Sequence, residues 1–343
     1  MVTLEDVARE AGVSLATASR VLNGSTRRVG AALRARVEST ANRLGYRVDA
    51  TAQTLARGAS NIVGLVVQDL TDNYFATIAD GVIRSADLHD MVVTITTTYR
   101  DPEREIAQIA TMRAQRARVV VIAGSRRSDE RMARRLCDEL DAYRSAGGRV
   151  ALIGQSFGGV DTVAPMNREG AARLAHALAG LGHRRFAVLA GPPDLLTAVD
   201  RCEGFTGALT GLGLPPPLIL HGGFDRDGGH ATALEFLDLR SDVTCLYAVN
   251  DVMAVGALAA FRERGVRVPG DLSLAGFDDI APLRDTVPPL TTVRLPLAKM
   301  GAMALNLALT SGDVQRTESV PGEVILRASV AALPAPAPSG LVT

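Results

Sequence analysis

Tryptophan is absent from these 343 residues, and aromatic residues make up only 4% of them. The cores must therefore be built from Ala, Val, Leu and Ile. No uninterrupted apolar run approaches about 18 residues, which excludes a membrane-spanning helix. Cysteine is scarce as well. Cys137, Cys202 and Cys245 are odd in number, far apart and without metal-type spacing, so neither a disulfide framework nor a zinc site is expected, and all three read as small core residues. Lys299 is the only lysine, so no phosphate-loop lysine exists and side-chain phosphate contacts fall to arginine. The first strand–helix junction, VVQDLTDNYF, lacks the Gly-x-Gly-x-x-Gly of dinucleotide enzymes. The five histidines are scattered, and none pairs with a nucleophile and an acid. His221 and His230 flank Asp225 and Asp227, but the intervening glycines read as a loop rather than a metal site. No enzyme, cofactor or metal is expected.

What is present points elsewhere. At about 150 residues per domain the length allows two or three folding units. The net charge of zero hides an asymmetry: residues 1–60 hold nine Arg against five acids, while the remainder is acidic by the same margin. A basic segment on a mildly acidic body suits contact with a polyanion. The first residues, MVTLEDVAREAGVS, put Glu5 and Asp6 where a secretion signal needs a basic stretch and an apolar run, so a cytosolic location is expected.

The first 45 residues read as three short helices. Thr3 caps the first, with Asp6 completing a near capping box. Val7, Ala8 and Ala11 form its apolar stripe, and Gly12 ends it. Ser14 caps a second helix with Ala18, Val21 and Leu22 on its inner face, and Asn23-Gly24 stops it. Leu33, Val37, Ala41 and Leu44 give a third helix closed by Gly45. Helix, short turn, helix and a bracing helix make a helix-turn-helix. Residues 46–60 have no strong apolar stripe and read as a linker that becomes helical only when held.

From Ile62 onward short β-branched runs alternate with helical segments: 62–67, 91–96, 118–123, 149–154, 186–191, 217–222, 244–249 and 271–277. Buried strands alternating with helices indicate parallel sheets covered on both faces. About ten strands are too many for one typical sheet, so two doubly wound subdomains are expected. Residues 334–343 read as a Pro-rich disordered tail.

The segment VTLEDVAREAGVSLATASRVLNGS resembles the DNA-binding headpiece of the lactose-repressor (LacI/GalR) family of bacterial regulators. AQTLARGAS, LGHRRFAVLAGP, AVNDVMAVGAL, SLAGFDDI and PPLTTVRLP resemble the same family in the same order. The resemblance implies a headpiece (1–46), a hinge helix (47–60) and a two-lobed core like that of periplasmic sugar-binding proteins. The lobes are expected at 61–160 with 292–322, and at 161–291 with 323–333. It also implies a homodimer on double-stranded operator DNA of two-fold symmetry, a small-molecule effector, and no membrane.

On the second helix Leu15, Ala16, Thr17, Ser19 and Arg20 lie off the core stripe, a surface that fits a major groove. Arg20 can bond guanine O6 and N7 as a fork. Leu15 and Ala16 would read shape or thymine methyls. Thr3 and Asn23 join this expected DNA-reading set. Arg27, Arg28, Arg34 and Arg36 would contact phosphates and set register. By resemblance Leu55 is the wedge that enters the minor groove at the operator centre and bends the duplex.

In open parallel sheets ligands bind beyond the carboxyl ends of the strands. The polar and aromatic residues at those ends are Asp69 to Phe75, Gln155, Thr197, Arg201, Phe224, Asn250, Asp251 and Asp278. The resemblance selects Tyr74, Phe75, Thr197, Arg201, Phe224 and Asp278 as effector contacts, and Asp72, Gln155 and Asn250 complete the expected set. Many sugar-responsive members carry Asn-Pro-Phe-Phe where this chain has Asp72-Asn73-Tyr74-Phe75, which leaves the effector open. A carbohydrate is the first expectation, a nucleoside, a purine or a protein partner the alternative.

Overall fold

The computed structural model describes residues 2–22, 29–46, 60–239, 241–312 and 314–333. It divides into two compact units, Met1–Asn61 and Ile62–Thr343.

In the first unit, α1 (Leu4–Glu10) opens with the expected capping box: the Thr3 hydroxyl accepts from the Asp6 amide while the Asp6 carboxylate accepts from the Thr3 amide. The second helix, α2 (Leu15–Leu22), is capped by Ser14, whose Oγ accepts from the Thr17 amide at 3.1 Å. The third, α3 (Ala31–Leu44), ends on Gly45 at φ 67°, a left-handed C-cap that glycine adopts without steric cost. Val7, Ala18 and Val37 meet at its centre with no solvent exposure. Burial of each valine contributes about 1.5–3 kcal/mol, enough to hold helices too short to persist alone.

In the second unit, two parallel sheets form two lobes. One holds β1 (Ile62–Val67), β2 (Val92–Thr97), β3 (Val119–Ala123), β4 (Arg149–Ile153), β5 (Asp161–Pro165) and β11 (Thr317–Val320), in the order β11-β5-β4-β3-β1-β2. The other holds β6 (Phe186–Ala190), β7 (Leu218–His221), β8 (Cys245–Ala248) and β9 (Ser273–Ala275), in the order β7-β6-β8-β9. The helices α4 (Asn73–Asp87), α5 (Pro102–Ala114) and α6 (Glu130–Ser145) join the strands of the first lobe. Those of the second are joined by α8 (Leu196–Gly211), α9 (Arg226–Asp238) and α10 (Asp251–Glu263), while α7 (Asn167–Gly180) leads into it. The last helix, α11 (Leu297–Leu309), returns to the first lobe and lies on α4. A Cβ on Gly81 would stand 1.9 Å from the Ala298 carbonyl oxygen, so only glycine allows this approach. Central strands are buried on both faces, as parallel sheets require.

The chain passes between the lobes three times, and the passages lie together. The Met166 amide donates to the Val320 carbonyl at 2.9 Å, and β10 (Thr292–Arg294) pairs antiparallel with β12 (Glu323–Ile325).

These positions shift the expected lobe boundaries. β5 belongs to the first sheet, so that lobe extends to 165 rather than 160. Residues 292–294, expected in the first lobe, bridge instead to Asp278 in the second. Neither β5 nor β11 was expected as a strand: DTVAP and TESV are short, partly polar runs. Cys202 and Cys245 are buried as expected, but Cys137 on α6 is only half-buried. The expected hinge at 47–59, Asn23, Arg27, Arg28, Leu55 and the tail at 334–343 lie outside the described residues. Among the described residues no helix is long and apolar enough to cross a membrane, and no group of three or more His, Cys, Asp or Glu residues could hold a metal ion.

Candidate functional site

Two surfaces carry the expected functional residues, one in each unit. In the first, α2 buries Ala18 and Val21 and turns Leu15, Ala16 and Arg20 outward. Leu15 is 46% exposed, an apolar side chain left in water in the first turn of a short helix. Arg20 forms no ion pair among the described residues, whereas Arg34 lies 3.7 Å from Glu38. The Thr17 hydroxyl meets the Ser14 hydroxyl at 2.8 Å, and the Thr3 hydroxyl donates to Asp6, so both threonines serve the helix caps. Thr17 and Ser19 are half-buried.

In the second unit, a cleft opens between the lobes. Eight of the nine expected effector residues line it: Asp72, Tyr74 and Phe75 from the first lobe, Thr197, Arg201, Phe224, Asn250 and Asp278 from the second. The ninth, Gln155, does not. It reaches across the lobes, its Nε2 donating to Thr197 Oγ1 at 3.0 Å and its Oε1 accepting from the Arg126 amide at 3.1 Å.

The floor is built around Arg201. This residue is 2% exposed, and its guanidinium lies 3.9 Å from the centre of the Phe277 ring. Nη2 donates to Asp278 Oδ1 at 2.7 Å, Nη1 to Asp278 Oδ2 at 3.3 Å and to the Val249 carbonyl at 2.9 Å, and Nε to Asn167 Oδ1 at 2.9 Å. Removing such a charge from water is tolerable only because both ends of the pair are so fully bonded. Burial pushes the Asp278 carboxyl upward against the pull of Arg201. The Asp278 backbone sits at φ 119° and that of Asp279 at φ 57°, strained conformations that aim one carboxylate into the cleft and the other toward Arg294 and Arg327.

The walls complete a shape suited to a small polar ring. Tyr74 and Phe75 meet edge to face at 5.0 Å from the start of α4, which Asp72 caps by accepting from the Tyr74 amide at 2.9 Å. Burial raises the Asp72 carboxyl and the Tyr74 hydroxyl above their ordinary values. Asn250 caps α10 and donates weakly to the Phe224 carbonyl at 3.5 Å. Asp251 lies beneath the cleft, bonded to Thr292 and the Ile280 amide, and does not line it.

The structure adds Gln68, Arg100, Ser125 and Asn167 to the lining. Three of these follow β1, β2 and β3, so the strand-end rule, applied to every strand, would have found them. Asn167 carried no such signal, since it opens a helix where the chain passes between lobes.

Comparison with known proteins agrees with this geometry. Residues 3–49 match the family described as bacterial regulatory proteins, lacI family, and residues 175–330 match the periplasmic binding protein-like domain. The regulator GalS of Salmonella typhimurium is 35% identical over 339 residues, 96% of this chain and 97% of that protein. The lac repressor dimer bound to operator and the anti-inducer ONPF superposes with a TM-score of 0.84 at 26% identity, covering 96% of this chain and 99% of that one. The regulator CelR in complex with cellobiose gives a TM-score of 0.70 at 29% identity, covering 96% and 100%.

Proposed function

This chain belongs to the lacI family of bacterial regulatory proteins, and from that premise we propose that it is a repressor of an operator with two-fold symmetry, released or engaged by a small polyhydroxylated effector held between the core lobes. It is a DNA-binding transcription regulator and not an enzyme. The observation that carries the effector reading is the Arg201–Asp278 pair. A fully buried, four-times-bonded guanidinium beneath a cleft lined from both lobes is a costly arrangement, and its one remaining N–H donor beside the Asp278 carboxylate sets a donor next to an acceptor for ligand hydroxyls. A carbohydrate suits that mixture of stacking aromatics and paired polar groups. The structurally similar regulator CelR forms a complex with one, cellobiose.

In this reading Leu15, Ala16 and Arg20 meet base edges, with Thr17, Ser19, Thr3 and Asn23 supporting them, and Leu55 wedges the operator centre of a homodimer. The effector changes the balance between lobe arrangements, and linkage requires DNA to change effector affinity by the same factor. The test uses the full chain. Duplexes enriched from a random pool are measured by fluorescence anisotropy, with and without sugars, nucleosides and purines that raise the melting temperature. At least one stabilising sugar is expected to change operator affinity about 5–150-fold. Failure to enrich any duplex overturns the regulator reading, and a nucleoside or purine as the sole active ligand overturns the carbohydrate one.

A further inference from the structure

Arg100 is set apart from the other arginines around the cleft. Arg126 is bonded to Glu105 at 2.6 Å, Arg127 to Asp194 at 2.5 Å and Arg201 to Asp278 at 2.7 Å. Arg100 forms no ion pair among the described residues, and its Nε is shut off from water without a hydrogen-bond partner. Its guanidinium stands 5.9 Å from the centre of the Phe224 ring on the opposite lobe. It also belongs to the wall shared by the cleft and an adjoining cavity. Its backbone, with that of Tyr99 before it, is left-handed, at φ 60° and 52°, so the loop after β2 holds strained geometry where this side chain enters the site.

A buried N–H without a partner is costly, and more so when the group is charged. Within the cleft, Asp72 is an acid that Arg100 influences electrostatically. One Asp72 oxygen is already committed to the Tyr74 amide. Burial works against the charge of both cleft acids, Asp72 and Asp278. The guanidinium fork matches a carboxylate or a phosphate in geometry and charge, which a lone hydroxyl does not.

We propose that the effector of this chain is an acidic sugar, whose carboxylate or phosphate is held by Arg100 and extends into the adjoining cavity while its ring lies over Arg201 and Asp278. This rests on the reading of the cleft as the effector site. It adds the charge of the ligand and the residue that selects for it.

Isothermal titration of the full chain with matched sets tests it: glucose with gluconate, glucuronate and glucose 6-phosphate; galactose with galactonate and galacturonate; ribose with ribose 5-phosphate. Inorganic phosphate alone serves as the control. At least one acid is expected to bind ten-fold or more tightly than its neutral parent. R100Q should weaken the acid far more than its neutral parent, so that the ratio of their Kd values falls to about one, and R100K should keep part of the gain. Which acids gain distinguishes carboxylate from phosphate. Neutral parents binding as tightly as their acids, or a gain that survives R100Q, overturns the proposal while the cleft reading stands. Binding by no sugar of either kind overturns both, and inorganic phosphate binding as tightly as the sugar phosphates overturns the link to a sugar.

Discussion

Arg201 could have been a structural ion pair or a ligand contact, and its geometry makes it both. Four of its five N–H donors are spent within the protein, so its remaining donor and the outer faces of Asp278 and Asn167 are what a ligand meets. Arg201→Ala should therefore destabilise the core by about 3–5 kcal/mol, because it strands a buried carboxylate. The pair Arg201→Met with Asp278→Asn removes both charges and should recover most of that loss, while effector binding stays absent. Urea unfolding read by circular dichroism and titration calorimetry separates the two effects. Equal instability of the single and double variants would count against the account. The sequence named both members of this pair but not their bond. Their separation of 77 positions is closed only by the fold.

The helices of the first unit were readable almost to the residue, because caps and apolar stripes are local signals: Thr3 with Asp6, Ser14, Gly45, and the Val7–Ala18–Val37 centre. The strands of the core were readable where they are buried and β-branched. Two escaped. Thr317–Val320 is an edge strand with three exposed residues, and Asp161–Pro165 pairs beside it, so neither needs the apolar run that marks a central strand. Roles at the surface of α2 were legible as exposure but not as chemistry: the Thr17 hydroxyl, expected at the DNA-reading face, also bonds that of Ser14. The two kinds of residue on this helix should separate by experiment. Ser14→Ala is expected to cost the headpiece about 1 kcal/mol of stability without altering sequence preference. Arg20→Ala should leave stability unchanged and reduce discrimination between the selected duplex and its point variants by about 1–3 kcal/mol. Thermal melts and competition binding on the same proteins check both.

A buried network ties the second lobe of the core to one of the passages between the lobes. Asp251, at the head of α10, accepts from Thr292 Oγ1 at 2.7 Å on β10 and from the Ile280 amide at 2.9 Å, tying a lobe helix to one of the passages between lobes. Burial raises its carboxyl from the ordinary 3.8 to about 6. A group whose value is raised on folding favours the native state below its unfolded value, and that contribution is lost as the pH rises through about 6. The core should thus lose about 2 kcal/mol of stability from this group between pH 4 and pH 7. Asp251→Asn, which keeps an acceptor for Ile280, should flatten the stability profile over that window. Denaturant midpoints at half-unit pH steps provide the measurement, and an unchanged slope in the variant would contradict the assignment.

The three adjacent passages between the lobes also constrain how the protein can be divided. A protease nick in any one of them leaves two intact tethers, and neither lobe corresponds to an uninterrupted stretch of gene. Expressing either lobe alone therefore requires rejoining distant segments by design. Insertions or deletions that lengthen a single passage would put the three out of step, so evolution can vary the cleft walls far more freely than the lengths of its straps.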